Sequence, residues 1–142
     1  MKVHVLDIRV RYGETDCAGV VYYANYLHYF EAGRTEYLRA LGTAYRTLEE
    51  QGIFLVVAEA RCKYLGRAGY DDQLELYTWV DRLRPTRIDF RSAAALKGAQ
   101  RPIAVGHVVL ACLEASGRPR RVPEELVRRI ELCDGPAWAR GP

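Results

Sequence analysis

One short segment holds the residues best suited to chemistry. Asp16 lies in the polar stretch 13–19, between a strand-like alternation and the start of a long amphipathic helix. A helix N-terminus presents unpaired backbone N–H groups and the positive end of its dipole, which can hold the oxyanion formed from an acyl carbonyl. A carboxylate in the preceding loop can attack that carbonyl or activate a water. Aspartate also caps turns without any chemistry, and the residues alone leave both interpretations open.

The element that would position this loop is the one long helix that the sequence predicts. Apolar or small residues recur at three- and four-residue steps, which is typical of an amphipathic helix: Tyr23, Tyr26, Leu27, Phe30, Gly33, Tyr37, Leu38 and Leu41. Gly42 follows the last of them and suits a helix end. Gly33 lies on the apolar stripe, where a residue without a side chain lets a helix approach a sheet closely.

The remaining pattern has a period of two, which predicts strands. One strand precedes the helix near residues 8–12, and four follow it in a meander at 54–64, 74–80, 88–96 and 103–113. Tyr77 and Trp79 fall on the face opposite the alternating positions of their strand. A sheet wrapped around one helix buries both apolar surfaces. The sequence therefore predicts an α+β fold, with one domain over residues 1–134, a short helix from Pro123 and a loose tail over residues 135–142.

Composition excludes several classes of function. The net charge of +3 over 142 residues, with basic and acidic residues interleaved, does not favour nucleic-acid binding. No apolar run is long enough for a membrane span, and no signal-peptide pattern follows Met1. The four cysteines form no CxxC pair and no zinc-spaced cluster, so we expect free thiols, a cytoplasmic location and no bound metal. Cys17 is disfavoured as a nucleophile because the sequence offers it no obvious base.

The loop and the helix start together resemble a known family. The resemblance is carried by Tyr12-Gly13-Glu14-Thr15-Asp16 and by Gly19-Val20-Val21-Tyr22-Tyr23-Ala24-Asn25-Tyr26. This block is similar to the signature of the 4-hydroxybenzoyl-CoA thioesterase family, which includes the Tol–Pal-associated bacterial acyl-CoA thioesterases. The resemblance extends over nearly the whole chain. It implies a hotdog fold, dimers that often pair into tetramers, and hydrolysis of an acyl-CoA thioester without a metal or another cofactor.

The resemblance also assigns roles to individual residues. Asp16 matches the family's catalytic aspartate, acting as nucleophile or general base, and Tyr23 sits where the first helical N–H polarises the thioester carbonyl. Many bacterial members have His at that position, and members acting on aromatic substrates have Tyr followed by Pro, whereas this chain has Ala24 after Tyr23. Acyl preference therefore stays open. Asn25 is expected to orient the loop, and Arg84, with Arg87 nearby, matches the family's basic position for coenzyme A phosphates.

Other charged residues have simpler explanations. Glu36 is spaced to pair with Arg39 on the helix surface. His28 lies off the apolar stripe, and His107 lies among apolar residues of a strand, where a hydrogen-bonded histidine is commoner than a ligand. Glu31 is expected to be a solvated residue of the helix, and Asp71 and Asp72 are expected to lie in a turn. Lys63 and Arg101 are weaker candidates for contact with phosphate.

Two other functions remain compatible with such a fold. A hotdog hydratase or dehydratase would need a histidine with a carboxylate, and no histidine lies in the loop or at the helix start. A protein that binds an acyl-thioester, carried by coenzyme A or by an acyl carrier protein, would need no catalytic group. A homodimer or homotetramer is expected in each case, because a lone sheet around one helix leaves a strand edge and apolar surface exposed, here including Tyr77 and Trp79.

Overall fold

Five antiparallel strands form one sheet in the order β1-β3-β4-β5-β2. The computed structural model describes residues 1–140. Its elements are β1 (Val3–Arg9), α1 (Asn25–Ala40), α2 (Tyr45–Glu50), β2 (Ile53–Tyr64), β3 (Gln73–Arg84), β4 (Arg87–Leu96), β5 (Ala104–Glu114) and α3 (Glu124–Arg129), with 3-10 turns at Tyr12–Glu14 and Ala137–Arg140. The predicted order along the chain of one strand, a long helix and four strands is confirmed, whereas α2 was not predicted. The four-strand meander is wrong, because only β3, β4 and β5 pair with their sequence neighbours and β2 lies at the sheet edge beside β5. No helix among these residues combines the length and apolar character that crossing a membrane requires.

Helix α1 lies against one face of the sheet and buries most of its apolar stripe, whereas Leu27, and Tyr23 just before the helix, are exposed. Phe30, Tyr37 and Leu38 are fully buried and belong to the core on this face. Gly33 faces β3 so closely that a Cβ there would lie 2.5 Å from Thr78 Oγ1. Gly42 ends the helix with φ +84°. The predictions made for both glycines are therefore confirmed, and the close contact at Gly33 fixes how deeply α1 sits on the sheet.

Strand β2 contains an irregularity that changes which of its side chains face the helix. Its pairing with β5 shifts register between Val57 and Glu59, which marks a β-bulge. Leu55 and Val57 pair with helix-facing residues of β5 before the bulge, and Ala60 and Cys62 do so after it. The continuous alternation predicted for 54–64 is therefore wrong. Odd-numbered residues face the helix before the bulge and even-numbered residues face it afterwards, because the bulge contains one extra residue.

Strand β5 is apolar on both faces, so the alternation in its sequence selected the wrong set of residues as the core positions. Its helix-facing residues are the even-numbered ones, including Val108 and Leu110 in the main core. The odd-numbered positions, which the alternation selected, lie on the opposite face, where Val105 joins a separate cluster. We call the face of the sheet opposite α1 the outer face.

The C-terminal segment covers part of the outer face. Trp138 meets Tyr77 edge to face at 4.8 Å, Ala139 is buried, and a Cβ on Gly135 would lie 2.3 Å from the ring of Trp79. Trp79 is consequently only 3% exposed. The prediction of a loose tail from residue 135 is wrong through Arg140, because apolar side chains anchor it; residues 141 and 142 lie outside the described chain. Trp79 therefore does not supply the exposed surface on which an oligomer was predicted.

Candidate active site

The Asp16 carboxylate organises a tight turn. Backbone N–H groups of Ala18 and Val20 donate to its Oδ1 at 2.9 and 3.4 Å, and its own N–H donates to the Val20 carbonyl at 2.9 Å. Gly19 completes the turn with φ +78°, a conformation that glycine adopts without a steric penalty. Only Oδ1 takes part in these bonds. Within residues 1–140, Oδ2 accepts none, and the side chain is exposed.

A second loop holds this turn in place. Val21 donates its N–H to the Ala68 carbonyl at 2.9 Å, and Val20 forms a bridge with Gly69. The Asp72 carboxylate accepts the Gly69 N–H at 2.8 Å and so shapes the supporting loop. Asp72 is therefore a turn residue, as predicted. Nothing in the residue pattern indicated that its loop would brace the one carrying Asp16.

The start of α1 is tied to the same loop through the carbonyl of Glu14. This oxygen accepts the Tyr22 N–H at 2.9 Å and the Asn25 side-chain amide at 2.9 Å. In the part of the chain that the structure describes, no side chain caps the helix at Ala24. Within residues 1–140, the backbone N–H groups of Tyr23 and Ala24 have no acceptor. Asn25 therefore orients the loop, and two free donors remain at the positive end of the helix dipole.

Tyrosines surround this helix start. The Tyr64 hydroxyl donates to the Tyr23 carbonyl at 3.0 Å, and the Tyr23 ring meets those of Tyr22 and Tyr64 at 4.8 and 6.2 Å. Burial, with neighbouring ionisable groups, raises the pKa of Tyr64 to about 12, so it remains a donor at neutral pH. Sequence reasoning missed Tyr64, although its place at the end of an alternating strand offered a weak signal.

Glu14 affects its surroundings beyond the hydrogen bonds of its carbonyl. Its carboxylate accepts the Arg11 N–H at 2.7 Å and so closes the preceding 3-10 turn. Burial, reinforced by this nearby negative charge, raises the pKa of Tyr29. The loop therefore carries two carboxylates with different roles: that of Glu14 holds the backbone turn, whereas that of Asp16 leaves one oxygen exposed.

The two predicted phosphate-binding arginines lie far from Asp16 within the protomer. Residues near Asp16 adjoin the Gln73 end of β3, whereas Arg84 closes the other end of that strand, roughly 36 Å away at 3.3 Å per residue. Arg84 donates to Asp89 at 2.6 Å. Arg87 pairs with Arg84 across the hairpin. The structure thus brings together Asp16, Tyr23 and Asn25 but not Arg84 or Arg87.

Asp89 explains two of the other charged residues. Its carboxylate is bonded to Arg84 and, at 3.0 Å, to His107. Burial alone would raise the pKa of Asp89, but the hydrogen bonds from these two partners outweigh it and lower the pKa. His107 is therefore a hydrogen-bonded histidine of the sheet, as predicted. The predicted Glu36–Arg39 pair is also present, at 3.3 Å, and His28 is exposed.

The family is established by comparison with known proteins. A model of the Thioesterase-like superfamily matches residues 10–130. An acyl-CoA thioesterase YbgC of Haemophilus influenzae is 45% identical over 84 residues, which cover 58% of this chain and 62% of that protein. An acyl-CoA thioester hydrolase YbgC of Escherichia coli is 30% identical over 125 residues, covering 87% of this chain and 92% of that protein.

Solved structures agree with this assignment. A hypothetical protein of Thermus thermophilus superposes with a TM-score of 0.83 at 31% identity, covering 89% of this chain and 95% of that one. A DHNA-CoA thioesterase of Staphylococcus aureus gives 0.81 at 29% identity, covering 85% and 81%. The sheet, the long helix and the match over residues 10–130 lead to one conclusion: the chain belongs to the Thioesterase-like superfamily and has its hotdog fold.

Proposed function

We propose that the protein is an acyl-CoA thioesterase in which Asp16 is the catalytic carboxylate. The observation that carries the proposal is the arrangement of the loop. Turn bonds occupy Oδ1 of Asp16 and leave Oδ2 exposed, and the adjacent helix start has two backbone N–H groups without acceptors among residues 1–140. The activity named for the YbgC relatives supports the same reaction.

The proposed reaction begins with the thioester carbonyl against the N–H groups of Tyr23 and Ala24. These donors stabilise the oxyanion as it forms. In one route, Oδ2 attacks the carbonyl carbon, the C–S bond breaks to release coenzyme A, and water then hydrolyses the mixed anhydride. In the other, Oδ2 takes a proton from a water, which attacks directly. Both routes yield the free acid and coenzyme A.

The turn geometry also fits a protein that binds acyl-thioesters without hydrolysing them. The bonds from Ala18 and Val20 give Asp16 a structural role that requires no catalysis. A hydratase or dehydratase is less favoured. His28 is exposed on α1, and His107 is bonded to Asp89 on the outer face of the sheet. An assay of turnover therefore separates the leading proposal from binding alone.

A second copy of the chain would complete the site. Asp16 is exposed in the protomer, whereas water exclusion strengthens catalytic electrostatics. β2 is a sheet edge with exposed Val57 (55%) and Tyr64 (46%), and an open apolar edge favours pairing. We therefore propose a homodimer or homotetramer, which light scattering would detect. A monomer at micromolar concentration would contradict it.

We also propose a cytoplasmic location, because the four free cysteines fit the reducing cytoplasm.

The decisive experiment is Asp16→Asn, assayed with a thiol-detecting reagent on aromatic, short-chain and long-chain acyl-CoA and on acyl carrier protein thioesters. Asparagine keeps the Oδ1 acceptor and hence the turn, but it removes the nucleophile and the base. We expect kcat to fall about 10²–10⁴-fold. Asp71→Asn is a matched control, because it removes an exposed charge from the neighbouring loop at φ +67°, which asparagine tolerates.

Tyr23→Phe tests the other half of the proposed site. The proposed donor at this position is the backbone N–H, so loss of the phenol should change kcat only slightly.

The catalytic role of Asp16 is wrong if Asp16→Asn retains more than about a tenth of wild-type kcat, given that general-base catalysis alone is worth about 10²-fold or more. The panel of substrates would at the same time establish the acyl preference.

A further inference from the structure

A cavity of about 690 Å³ lies on the outer face, away from the candidate active site. Its floor is formed by β2, β5, β4 and β3, and its wall by the C-terminal segment at Asp134, Ala139 and Arg140. We call it the outer trough. None of the five residues assigned to the site from the sequence lines it. Its volume is within the usual range of about 300–1,000 Å³ for small-molecule sites.

The floor of the outer trough carries a row of nitrogen-rich side chains. Arg61 on β2 pairs across the sheet with His107 on β5, and His107 pairs in turn with Arg91 on β4. Lys63 follows two residues after Arg61, so it projects from the same face of the same strand. Directly paired strand residues lie about 4.5–5.5 Å apart. The row therefore places three permanent cations, those of Arg61, Lys63 and Arg91, in a small area.

The acidic residues of the outer trough are already neutralised. Asp81 accepts a hydrogen bond from Arg91 at 2.6 Å. Asp134 lies 4.0 Å from Arg140. These pairs hold two of the arginines in place and leave no net negative charge on either side of the trough.

Arg61 and Lys63 are different. Both are exposed, and within residues 1–140 neither has a carboxylate or carbonyl partner. Their side chains line a cavity rather than a convex surface. Glu59 lies on the same face of β2 but forms no ion pair with either of them among residues 1–140. Two adjacent cations without an ion-pair partner, next to two ordered arginines, form an arrangement suited to a multiply charged anion, because guanidinium groups bind phosphate oxygens in pairs.

We propose that the outer trough is a binding site for a small phosphate-bearing anion of the size of a diphosphate or nucleotide. Such a ligand has two possible sources. Tyr64, the neighbour of Lys63, contacts Tyr23 on the helix side of the sheet, so the diphosphate of the acyl-CoA substrate is one source. A free phosphorylated compound is the other. The first source rests on the proposed thioesterase function, whereas the site itself does not.

Calorimetric titration with pyrophosphate and with ADP, at low and constant ionic strength, tests the site directly. We expect the wild-type protein to bind both, and Arg61→Ser combined with Lys63→Ser to weaken binding at least tenfold. Arg118→Ser combined with Arg128→Ser is the matched control, because it removes the same charge from exposed positions outside the trough. The proposal is overturned if the wild-type protein binds neither probe at millimolar concentration, or if both double variants weaken binding equally.

Kinetics distinguishes the two sources. The same acyl group is supplied on coenzyme A and on pantetheine, which lacks the nucleotide phosphates. A higher KM for the coenzyme A thioester alone in the Arg61, Lys63 variant identifies the substrate's own phosphates. Unchanged KM values with lost pyrophosphate binding identify a free ligand. If neither thioester is hydrolysed by any form of the protein, the proposed function fails while the titration still decides the site.

Discussion

Replacing Gly33 with alanine should destabilise the protein, although the same change usually stabilises a helix. In a helix interior, Gly→Ala gains about 0.5–1 kcal/mol. Here the new Cβ would lie 2.5 Å from Thr78 Oγ1, far inside van der Waals contact, between two elements that are both buried. Overpacking of this kind costs about 1–3 kcal/mol. We therefore expect a net loss of about 1–2 kcal/mol in the free energy of unfolding, measured by urea denaturation at one fixed protein concentration.

Thr78 provides the control. Its hydroxyl is buried and has no hydrogen-bond partner among residues 1–140, so Thr78→Ala removes the clashing atom without breaking a bond. In that background Gly33→Ala should recover its usual gain of about 0.5–1 kcal/mol. The double-mutant cycle should thus show a coupling energy of about 2 kcal/mol. Additive effects, or a stabilised single Gly33→Ala variant, would refute the proposed role of this contact.

Three further predictions follow from buried contacts. Asp89→Asn should lower the free energy of unfolding by about 1–3 kcal/mol at neutral pH. Because folding lowers the pKa of Asp89, the stability advantage of the wild-type protein should be complete above pH 3.8 and should disappear as the pH falls below that value. Unfolding curves measured at a series of pH values would show this. Gly106→Ala places a Cβ 2.6 Å from the Phe30 ring and should lower the free energy of unfolding by about 1–3 kcal/mol, measured by urea denaturation. Gly135→Ala, at φ +73° and 2.3 Å from Trp79, should speed hydrogen exchange in the C-terminal segment; unchanged exchange would contradict its anchoring.

The fold was largely predictable from the sequence because its periodicities are strong. The stripe of α1 and the alternation of β3 both report burial directly, and Gly33 and Gly42 identified a close contact and a helix end. The bulge in β2 was not predictable, since alanine and valine on both sides of it read as one continuous alternation. The packed C-terminal segment was also missed, because its one aromatic residue, Trp138, lies among glycine, proline, alanine and arginine.

The candidate site was predictable only where it is local in the chain. Asp16, Tyr23 and Asn25 are within ten residues, so the loop and helix start had to bring them near one another. Arg84 and Arg87 were assigned by resemblance, and the length of β3 separates them from Asp16 in the protomer. The bracing by Asp72 and the contact of Tyr64 with Tyr23 depend on long-range pairing, which periodicity does not reveal.

The bulge in β2 acts as a one-residue frameshift in the layout of the sheet. Without it, the helix-facing positions would continue from Leu55 and Val57 to odd-numbered residues, and Arg61 and Lys63 would enter the apolar core. Tyr64 would then project to the outer face, away from Tyr23. Losing the bulge while keeping every residue would thus exchange the two surfaces of the strand, whereas deleting the extra residue, Ala58, would restore regular pairing and leave both surfaces in place. The bulge therefore compensates for one residue more than a regular strand would hold, and a relative that lacks this residue can lack the bulge and still keep both surfaces.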